Sequence, residues 1–167
     1  MGVLLSGGLD SSLLVALLAE AGVPDIKTFS IGFEDQPEEK GNEFEYSDPV
    51  AEMYKTDHHK FLIPNAEVLQ RLPEAVASMA EPMFGQDAVA FYLLSERVSK
   101  SVKVVQSGQG ADEVFAGYFW YGKMLASAGK PLERFSSWYF DRDHDEYLQT
   151  IDPAYHVDDV TSKYVRE

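Results

Sequence analysis

The sequence predicts an α/β protein built on an open parallel sheet with helices on both faces. Along most of the 167-residue chain, short apolar stretches with strand-like composition alternate with longer stretches of helical character. The first and the fourth of these strands each run into a glycine-rich turn, and a helix follows each turn. Strands that alternate with helices favour a parallel sheet with right-handed crossovers.

Each element is predicted from apolar runs and from the residues that begin or end them. Gly22 and Pro24 end the first helix, Pro49 is tolerated in the first turn of the second, and Asp87 is suited to cap a later one. The predicted strands are residues 2–5, 27–33, 59–63 and 102–106. The predicted helices are residues 11–21, 47–55, 65–79 and 88–99, with another beginning at residue 111.

Two stretches differ from this pattern. The acidic stretch from Glu34 to Asn42 predicts an exposed loop, which is either a solvated connector or a gate over a site. Residues 122–167 are polar and aromatic, and they predict a truncated helical extension. Residues 1–167 are thus expected to form a single domain taken from a longer chain.

Composition excludes several classes of function. The net charge of −14 argues against binding to nucleic acid, whose affinity comes largely from lysine and arginine. The chain has no cysteine, so a disulfide framework, a thiolate metal site and a cysteine nucleophile are excluded. No apolar run is long enough to span a membrane and no secretory signal is visible, which favours the cytoplasm.

The first glycine-rich turn has the sequence SGGLDSS, from Ser6 to Ser12. Gly7 and Gly8 can adopt positive φ and let a phosphate approach the backbone, and the helix after them offers free N–H groups. Asp10 would repel a bare phosphate, so it predicts a bridging Mg²⁺. The turn lacks the Gly-Lys-Ser/Thr ending of a Walker loop and the spacing of a dinucleotide fingerprint. The alternative is an ordinary strand-to-helix turn with Asp10 as N-cap.

The second glycine-rich turn runs from Ser107 to Glu113 and also joins a strand to a helix. Ligands of open parallel sheets bind outside the carboxyl ends of the strands, so two such turns can face one ligand. Asp10 and Asp112 would then both be oxygen ligands of Mg²⁺. The alternative is an acidic helix N-terminus that only complements the helix dipole.

Together, the two turns resemble the synthetase domain of the glutamine-dependent asparagine synthetase family. Ser6–Ser11 resembles its pyrophosphate loop, and Ser107–Tyr118 resembles its acyl-adenylate loop. Thr28–Phe33 is similar to the strand that cradles adenine, and Thr56–His59 also fits. The resemblance covers Gly2 to about Tyr121, and it implies an ATP-pyrophosphatase (adenine nucleotide alpha hydrolase-like) fold.

The resemblance implies an ATP-dependent ligase that works in two stages. A small carboxylic acid attacks the α-phosphate of ATP to give an acyl-adenylate, and ammonia then displaces AMP. In the family the ammonia comes from a glutaminase domain, which is absent from this chain. The implied catalytic residues are Gln109 and Asp112, and the implied metal ligands are Asp10 and Asp112. The implied nucleotide-binding residues are Leu5, Ser6, Gly7, Gly8, Asp10, Ser11, Ser12, Ile31, Ser107, Gly108 and Gly110.

Further residues bear on the identity of the acid. Residues 81–83 and 86–94, with Lys103–Gln106, resemble the N-acetylglutaminylglutamine amidotransferase branch, which amidates a dipeptide-derived osmolyte. Asparagine synthetases often have glutamate where this chain has Gln109, which cannot take a proton at neutral pH. The acid is therefore aspartate or a glutamine-dipeptide-like acid, and a substrate other than aspartate would be one reason for the glutamine.

Two alternatives to this function stay open. The chain could be another enzyme of the ATP-pyrophosphatase class, such as a tRNA thiolase or an NAD or GMP synthetase, or a nucleotide-binding module without catalysis. The family's later segment, with further basic contacts to the phosphates, would lie beyond Glu167. We therefore expect this fragment alone to be inactive.

The adjacent His58 and His59 suggest a metal pair at first sight. Neighbouring residues in a strand point to opposite faces of the sheet. The sequence therefore predicts that one ring faces the core or the edge of the site and the other faces solvent.

Overall fold

A parallel sheet organises the first of two compact units, Met1–Gln109. The structure is a computed structural model that describes residues 1–38, 40–81, 87–140 and 142–166. The described residues form a four-stranded sheet in the order β3-β2-β1-β4. Its strands are β1 (Gly2–Leu4), β2 (Lys27–Phe33), β3 (Asp57–Ile63) and β4 (Val105–Gln106).

Helices cover both faces of this sheet. The helices of the first unit are α1 (Leu9–Glu20), α2 (Phe44–Tyr54), α3 (Asn65–Ser78) and α4 (Asp87–Ser99). α1 buries Val15, and α2 buries Ala51. Both side chains belong to a cluster with Val3 of β1 and with Leu5, the residue after that strand. α3 and α4 pack in a separate cluster around Ile63 and Leu93. The predicted open parallel sheet with helices on both faces is confirmed.

The starts of two helices differ from the prediction. α1 begins at Leu9 because Gly8, with φ −66° and ψ 166°, is its N-cap, and the Gly8 carbonyl accepts a bond from Ser12 N. Asp10 is therefore in the first turn and is not the N-cap. α2 begins at Phe44, so Pro49 lies inside the helix and not in its first turn as predicted.

β4 is shorter than the predicted strand 102–106. The backbone N–H of Val102 still donates to the Val98 carbonyl at 3.0 Å, so the chain is completing α4 at that point. Pairing with β1 covers only Gly2 with Val105 and Val3 with Gln106. β2 and β3 are paired along their whole length, from Lys27 with Asp57 to Phe33 with Ile63.

The acidic loop between β2 and α2 is closed at its base. Phe33 N donates to the Gly41 carbonyl at 2.7 Å, and the Asp35 carboxylate accepts the Gly41 N–H at 2.9 Å. Glu34, the first residue of the loop, contacts another element, because its carbonyl accepts a hydrogen bond from the Asn65 side-chain amide at 3.1 Å. The loop is thus tied both to the end of β2 and to the start of α3.

The second unit begins at Gly110, inside the second glycine-rich turn. Its helices are α5 (Ala111–Phe115), α6 (Phe119–Ala126), α7 (Pro131–Tyr139), α8 (His144–Thr150) and α9 (Val160–Arg166). Stacked rings hold it together, with the Tyr118 and Trp120 centroids 4.1 Å apart. None of its described side chains up to Tyr164 is fully buried. That residues 1–167 act as one domain stays a prediction.

Within the described ranges, every helix is too short or too polar to cross a membrane.

His58 and His59 lie on opposite faces of β3, as predicted. The His59 ring stacks on Phe29 at 5.1 Å, so it is half-buried and does not project into solvent. His58 Nδ1 lies 2.8 Å from Thr28 Oγ1, and the His58 side chain is 10% exposed. Burial lowers the pKa of His58, with the nearby Asp48 carboxylate opposing the shift.

We predict that His58 makes the fold sensitive to mild acid. Because the folded protein binds the His58 proton less tightly than the unfolded chain, the stability that neutral His58 confers is complete above the unfolded pKa of about 6.5. It is lost as the pH falls through the folded pKa. His58→Asn, which can still reach Thr28, should flatten the decline in Tm between neutral pH and pH ~5. Thermal unfolding across this range measures it, with His156→Asn at an exposed position as control. An unchanged pH profile for His58→Asn would contradict the prediction.

Candidate functional site

The first glycine-rich turn is held by its own serine hydroxyls. Ser11 Oγ accepts the Ser6 N–H at 3.3 Å and donates to the Gly8 carbonyl at 3.2 Å. Ser6 Oγ accepts the Gly8 N–H at 3.2 Å and lies 3.0 Å from Ser11 Oγ. Ser6 and Ser11 therefore shape the turn, and Ser11 is buried in doing so.

The two glycines of this turn have different roles. Gly7 has φ +90°, and a Cβ there would lie 2.3 Å from the Tyr46 carbonyl carbon and 2.5 Å from Ser47 N of α2. Gly8 has a negative φ, whereas the sequence suggested that it could adopt a positive one. It is the N-cap of α1 and has an extended backbone. Gly7 thus lets the turn lie directly on the backbone of α2.

The start of α1 presents backbone donors and one carboxylate. The first intrahelical bond is Ser12 N to Gly8 O at 3.1 Å, so the N–H groups of Leu9, Asp10 and Ser11 precede the helical ladder. Asp10 is half-buried in this first turn. Ser12 Oγ is buried and has no hydrogen-bond partner among the described residues. The turn therefore offers donors suited to an anion, with an acidic side chain beside them.

The second turn reaches the start of α1. A Cβ at Gly108 would lie 3.0 Å from Asp10 Cβ and 3.0 Å from Ser11 N. Gln109 N donates to Ser107 Oγ at 3.2 Å, and the residues Ser107 and Gln109 are exposed. The two turns predicted to face one ligand are thus in contact through Gly108.

The rest of the second turn belongs to the second unit. Gly110 is the N-cap of α5 with φ +86°. The Asp112 carbonyl accepts the Gly117 N–H at 3.0 Å, and a Cβ at Gly117 would lie 2.1 Å from Asp112 Oδ1. Gly117 therefore leaves room for the Asp112 carboxylate to lie against the backbone.

Tyr118 and Glu113 form a hydrogen-bonded pair in the same unit. The Tyr118 hydroxyl donates to Glu113 Oε1 at 2.8 Å. This hydrogen bond raises the pKa of Tyr118 to about 12, so the phenol stays protonated at neutral pH.

Leu5 and Ile31 are placed by the core. Leu5 is 1% exposed. Its N–H donates to the Phe29 carbonyl at 2.8 Å, and its carbonyl accepts a hydrogen bond from the Ser30 hydroxyl. The Ile31 side chain packs with Phe29 and Leu94 on the side of the sheet covered by α4. The side chains of both residues are thus occupied by packing.

A metal ion at this site would take some of its coordinating atoms from a bound ligand. Within the described ranges, no group of three or more His, Asp or Glu side chains is placed to hold an ion. Mg²⁺ commonly uses only one or two carboxylates and takes its other ligands from phosphate and water. Asp10, beside the anion donors of the turn, fits that arrangement.

Sequence reasoning missed the support that α2 and Gly117 give. Tyr46 and Ser47 lie outside both glycine-rich motifs, and only the fold brings them against Gly7. Gly117 comes shortly after the acidic residues of the second motif, and this spacing was the one sequence signal that could have indicated its role. Residues 82–86, which carry part of the narrower resemblance, lie outside the described residues.

Comparison with known proteins identifies one family. The family described as asparagine synthase matches residues 1–162. Asparagine synthetase [glutamine-hydrolyzing] 1 of Bacillus subtilis (strain 168) is 35% identical over 82% of this chain and 21% of its own length. Asparagine synthetase [glutamine-hydrolyzing] of Rattus norvegicus is 36% identical over 74% of this chain and 23% of its own. The chain spans about a fifth of the length of these relatives.

Among solved structures, an NH3-dependent NAD synthetase from Campylobacter jejuni has a TM-score of 0.46 and 17% identity. The match covers 92% of this chain and 78% of the NAD synthetase chain.

We predict that Gly7→Ala destabilises the fold more than Gly22→Ala. Both glycines have positive φ, which costs a non-glycine residue about 1–2 kcal/mol. A Cβ at Gly22 meets nothing within 4 Å, whereas one at Gly7 meets the α2 backbone. The excess for Gly7→Ala should be about 1–3 kcal/mol, the usual cost of overpacking. Urea unfolding of the two variants measures the difference. Equal costs would show that the turn moves freely away from α2.

Proposed function

Because the chain belongs to the asparagine synthase family, we propose that it binds ATP and adenylates a carboxylic acid for amide formation. The observation that carries this proposal is the contact of Gly108 with Asp10 and Ser11. It brings the start of the second turn against the first turn, and each turn ends a strand and opens a helix. A single ligand can then be held by donors from both turns.

The first turn is proposed to hold the phosphates. The N–H groups at the start of α1 and the partnerless Ser12 hydroxyl are the donors that charged phosphate oxygens need. Leu5 and Ile31 lie near the ends of the two central strands, and their backbone groups would border the nucleoside. Backbone donors suit this protein because its net charge of −14 would otherwise repel ATP.

The proposed reaction has two balanced steps. A carboxylate oxygen of the acid attacks the α-phosphorus, the bond from that phosphorus to the bridging oxygen breaks, and pyrophosphate leaves. Ammonia nitrogen then attacks the acyl carbon, the carbon–oxygen bond to AMP breaks, and the nitrogen loses a proton. Ser107, Gly108 and Gly110 would line the acyl-adenylate. Gln109 would orient it by hydrogen bonds, because an amide side chain does not accept the proton.

Asp10 and Asp112 are the proposed magnesium ligands. The ion would neutralise phosphate charge when it is bound with ATP. Gly117 supports this role for Asp112, since it gives the carboxylate room beside the backbone.

We propose aspartate or a glutamine-dipeptide-like acid as substrate, and ammonia released from glutamine elsewhere in a longer polypeptide. The relatives are themselves named as glutamine-hydrolyzing enzymes. We place the protein in the cytoplasm, where ATP is available.

Asp10→Asn should separate magnesium-dependent from magnesium-independent binding. With excess Mg²⁺ the affinity for ATP should fall about tenfold or more, equivalent to about 1.4 kcal/mol. In EDTA the affinity should be unchanged or higher, because a repulsive charge has been removed. Titration calorimetry measures both conditions. Asp25→Asn, in the exposed turn after the other end of α1, is the matched control. If Asp10→Asn left magnesium-dependent binding intact, a nucleotide module without metal chemistry would be favoured.

ATP–pyrophosphate exchange tests the chemistry apart from binding. We propose that this chain alone binds ATP but gives no exchange with aspartate or with a glutamine dipeptide acid. The reason is that it spans about a fifth of the relatives' length. An intact asparagine synthetase is the positive control. Robust exchange by the 167-residue chain would overturn its inactivity, and the acid that supported exchange would be the substrate.

A further inference from the structure

Helix α2 joins the apolar core through its second half. The side chains of that half that pack in the cluster are Val50, Ala51 and Tyr54. Pro49 comes just before them, and proline has no N–H to donate to the carbonyl four residues earlier, so one hydrogen bond between the two halves is missing. The first half carries Tyr46 and Ser47, which we call the seat because Gly7 lies against their backbone. The contacts that hold this first half therefore bear on where the first turn lies.

Lys60 of β3 holds the first half of α2 at two points. Its Nζ lies 2.9 Å from Asp48 Oδ2 and 5.4 Å from the centroid of the Phe44 ring. Phe44 is the first residue of α2, so the two contacts lie on either side of the seat. The Phe44 ring also lies against β2, since a Cβ at Gly32 would be 2.9 Å from Phe44 Cζ. The seat is thus bracketed by contacts with the sheet.

The other oxygen of Asp48 faces a second basic side chain. His58 Nε2 lies 3.6 Å from Asp48 Oδ1, and His58 Nδ1 is 2.8 Å from Thr28 Oγ1. Thr28 Oγ1 in turn lies 2.7 Å from Thr56 Oγ1. Polar side chains therefore connect β2 and β3 with α2. Because burial lowers the pKa of His58, Lys60 is the main positive charge opposite Asp48 at neutral pH.

We propose that Lys60 and Asp48 are positioning residues of the nucleotide site, which act on the first turn through its seat on α2. The inference rests on the proposed function, in which this turn holds the phosphates of ATP. Hydrogen bonds weaken steeply when donor and acceptor are misaligned, so a small movement of the turn would weaken its hold on the phosphates. The pair itself is partly exposed, with side chains 42% and 47% accessible, so its loss should leave the protein folded.

The probe is ATP with excess Mg²⁺, titrated into the 167-residue chain by calorimetry. Lys60→Met should weaken binding about threefold to fivefold, the upper part of what a partly exposed ion pair contributes. Lys60→Arg keeps the charge and should bind within about 1.5-fold of the parent chain. The matched control is Lys27→Met, because Lys27 pairs with Asp57 at the opposite, amino end of β2 and β3. It removes the same charge and should change binding by less than about 1.5-fold.

Asp48→Asn separates positioning from the overall charge. It removes a negative charge, so the field of the whole protein would favour tighter binding of ATP. Positioning predicts the reverse, a loss of about threefold to fivefold, because Lys60 has lost its partner. If the two residues act as one pair, Asp48→Asn with Lys60→Met should bind no more than about 1.5-fold more weakly than either single variant.

Backbone amide signals test the positioning role without a nucleotide. In NMR correlation spectra, Lys60→Met should shift the signals of Gly7 and Gly8, and Lys27→Met should leave them in place. If the parent chain binds no ATP, the proposed function is contradicted, and these spectra decide on the positioning role alone. Circular dichroism checks that each variant is folded at the temperature of the titrations.

Four results would overturn the proposal. The first is a loss of affinity in Lys60→Met no greater than that in Lys27→Met. The second is tighter binding of ATP by Asp48→Asn, and the third is a fully additive loss in the double variant. The fourth is an unchanged position of the Gly7 and Gly8 signals in Lys60→Met.

Discussion

The close approach of Gly7 to the backbone of α2 fixes the first turn, and much of the candidate site depends on that contact. A Cβ at this position would lie 2.3 Å from the Tyr46 carbonyl carbon, so any residue other than glycine would push the turn away from α2. With the turn seated on α2, Ser6 and Ser11 close it by hydrogen bonds and α1 begins at Leu9. Gly108 then makes a second close approach, to Asp10 and Ser11. Two glycines thus bring three segments of chain to one place.

Charge explains why backbone groups dominate this site. A protein with net charge −14 cannot attract an anion by its overall field. The N–H groups at the start of α1 supply local positive potential without adding a charged side chain. If Asp10 binds Mg²⁺ as proposed, ATP binding at this site would depend on that cation.

Much of the fold could be predicted because the signals were local. β2 begins and ends where the apolar run does, and Gly22 follows the end of α1 closely. The errors concern where elements begin and end. β4 loses its first residues because Val102 still bonds back to Val98, and α2 starts before Pro49. The seat of Gly7 on Tyr46 and Ser47 involves residues far apart in sequence, and no motif records it. The apolar composition of α1 was visible, but which of its sides is covered was not.

The unequal pairing of the sheet gives the two turns different mechanical support. β2 and β3 share a register of seven pairs, whereas β4 is held to β1 through two. Short ladders open locally at a lower free energy than long ones, and such openings need no global unfolding. The strand that carries Ser107 and Gly108 is therefore the softer side of the site. A ligand that bridges both turns would restrain this fraying, so its binding energy would appear as slower amide exchange at Val105 and Gln106.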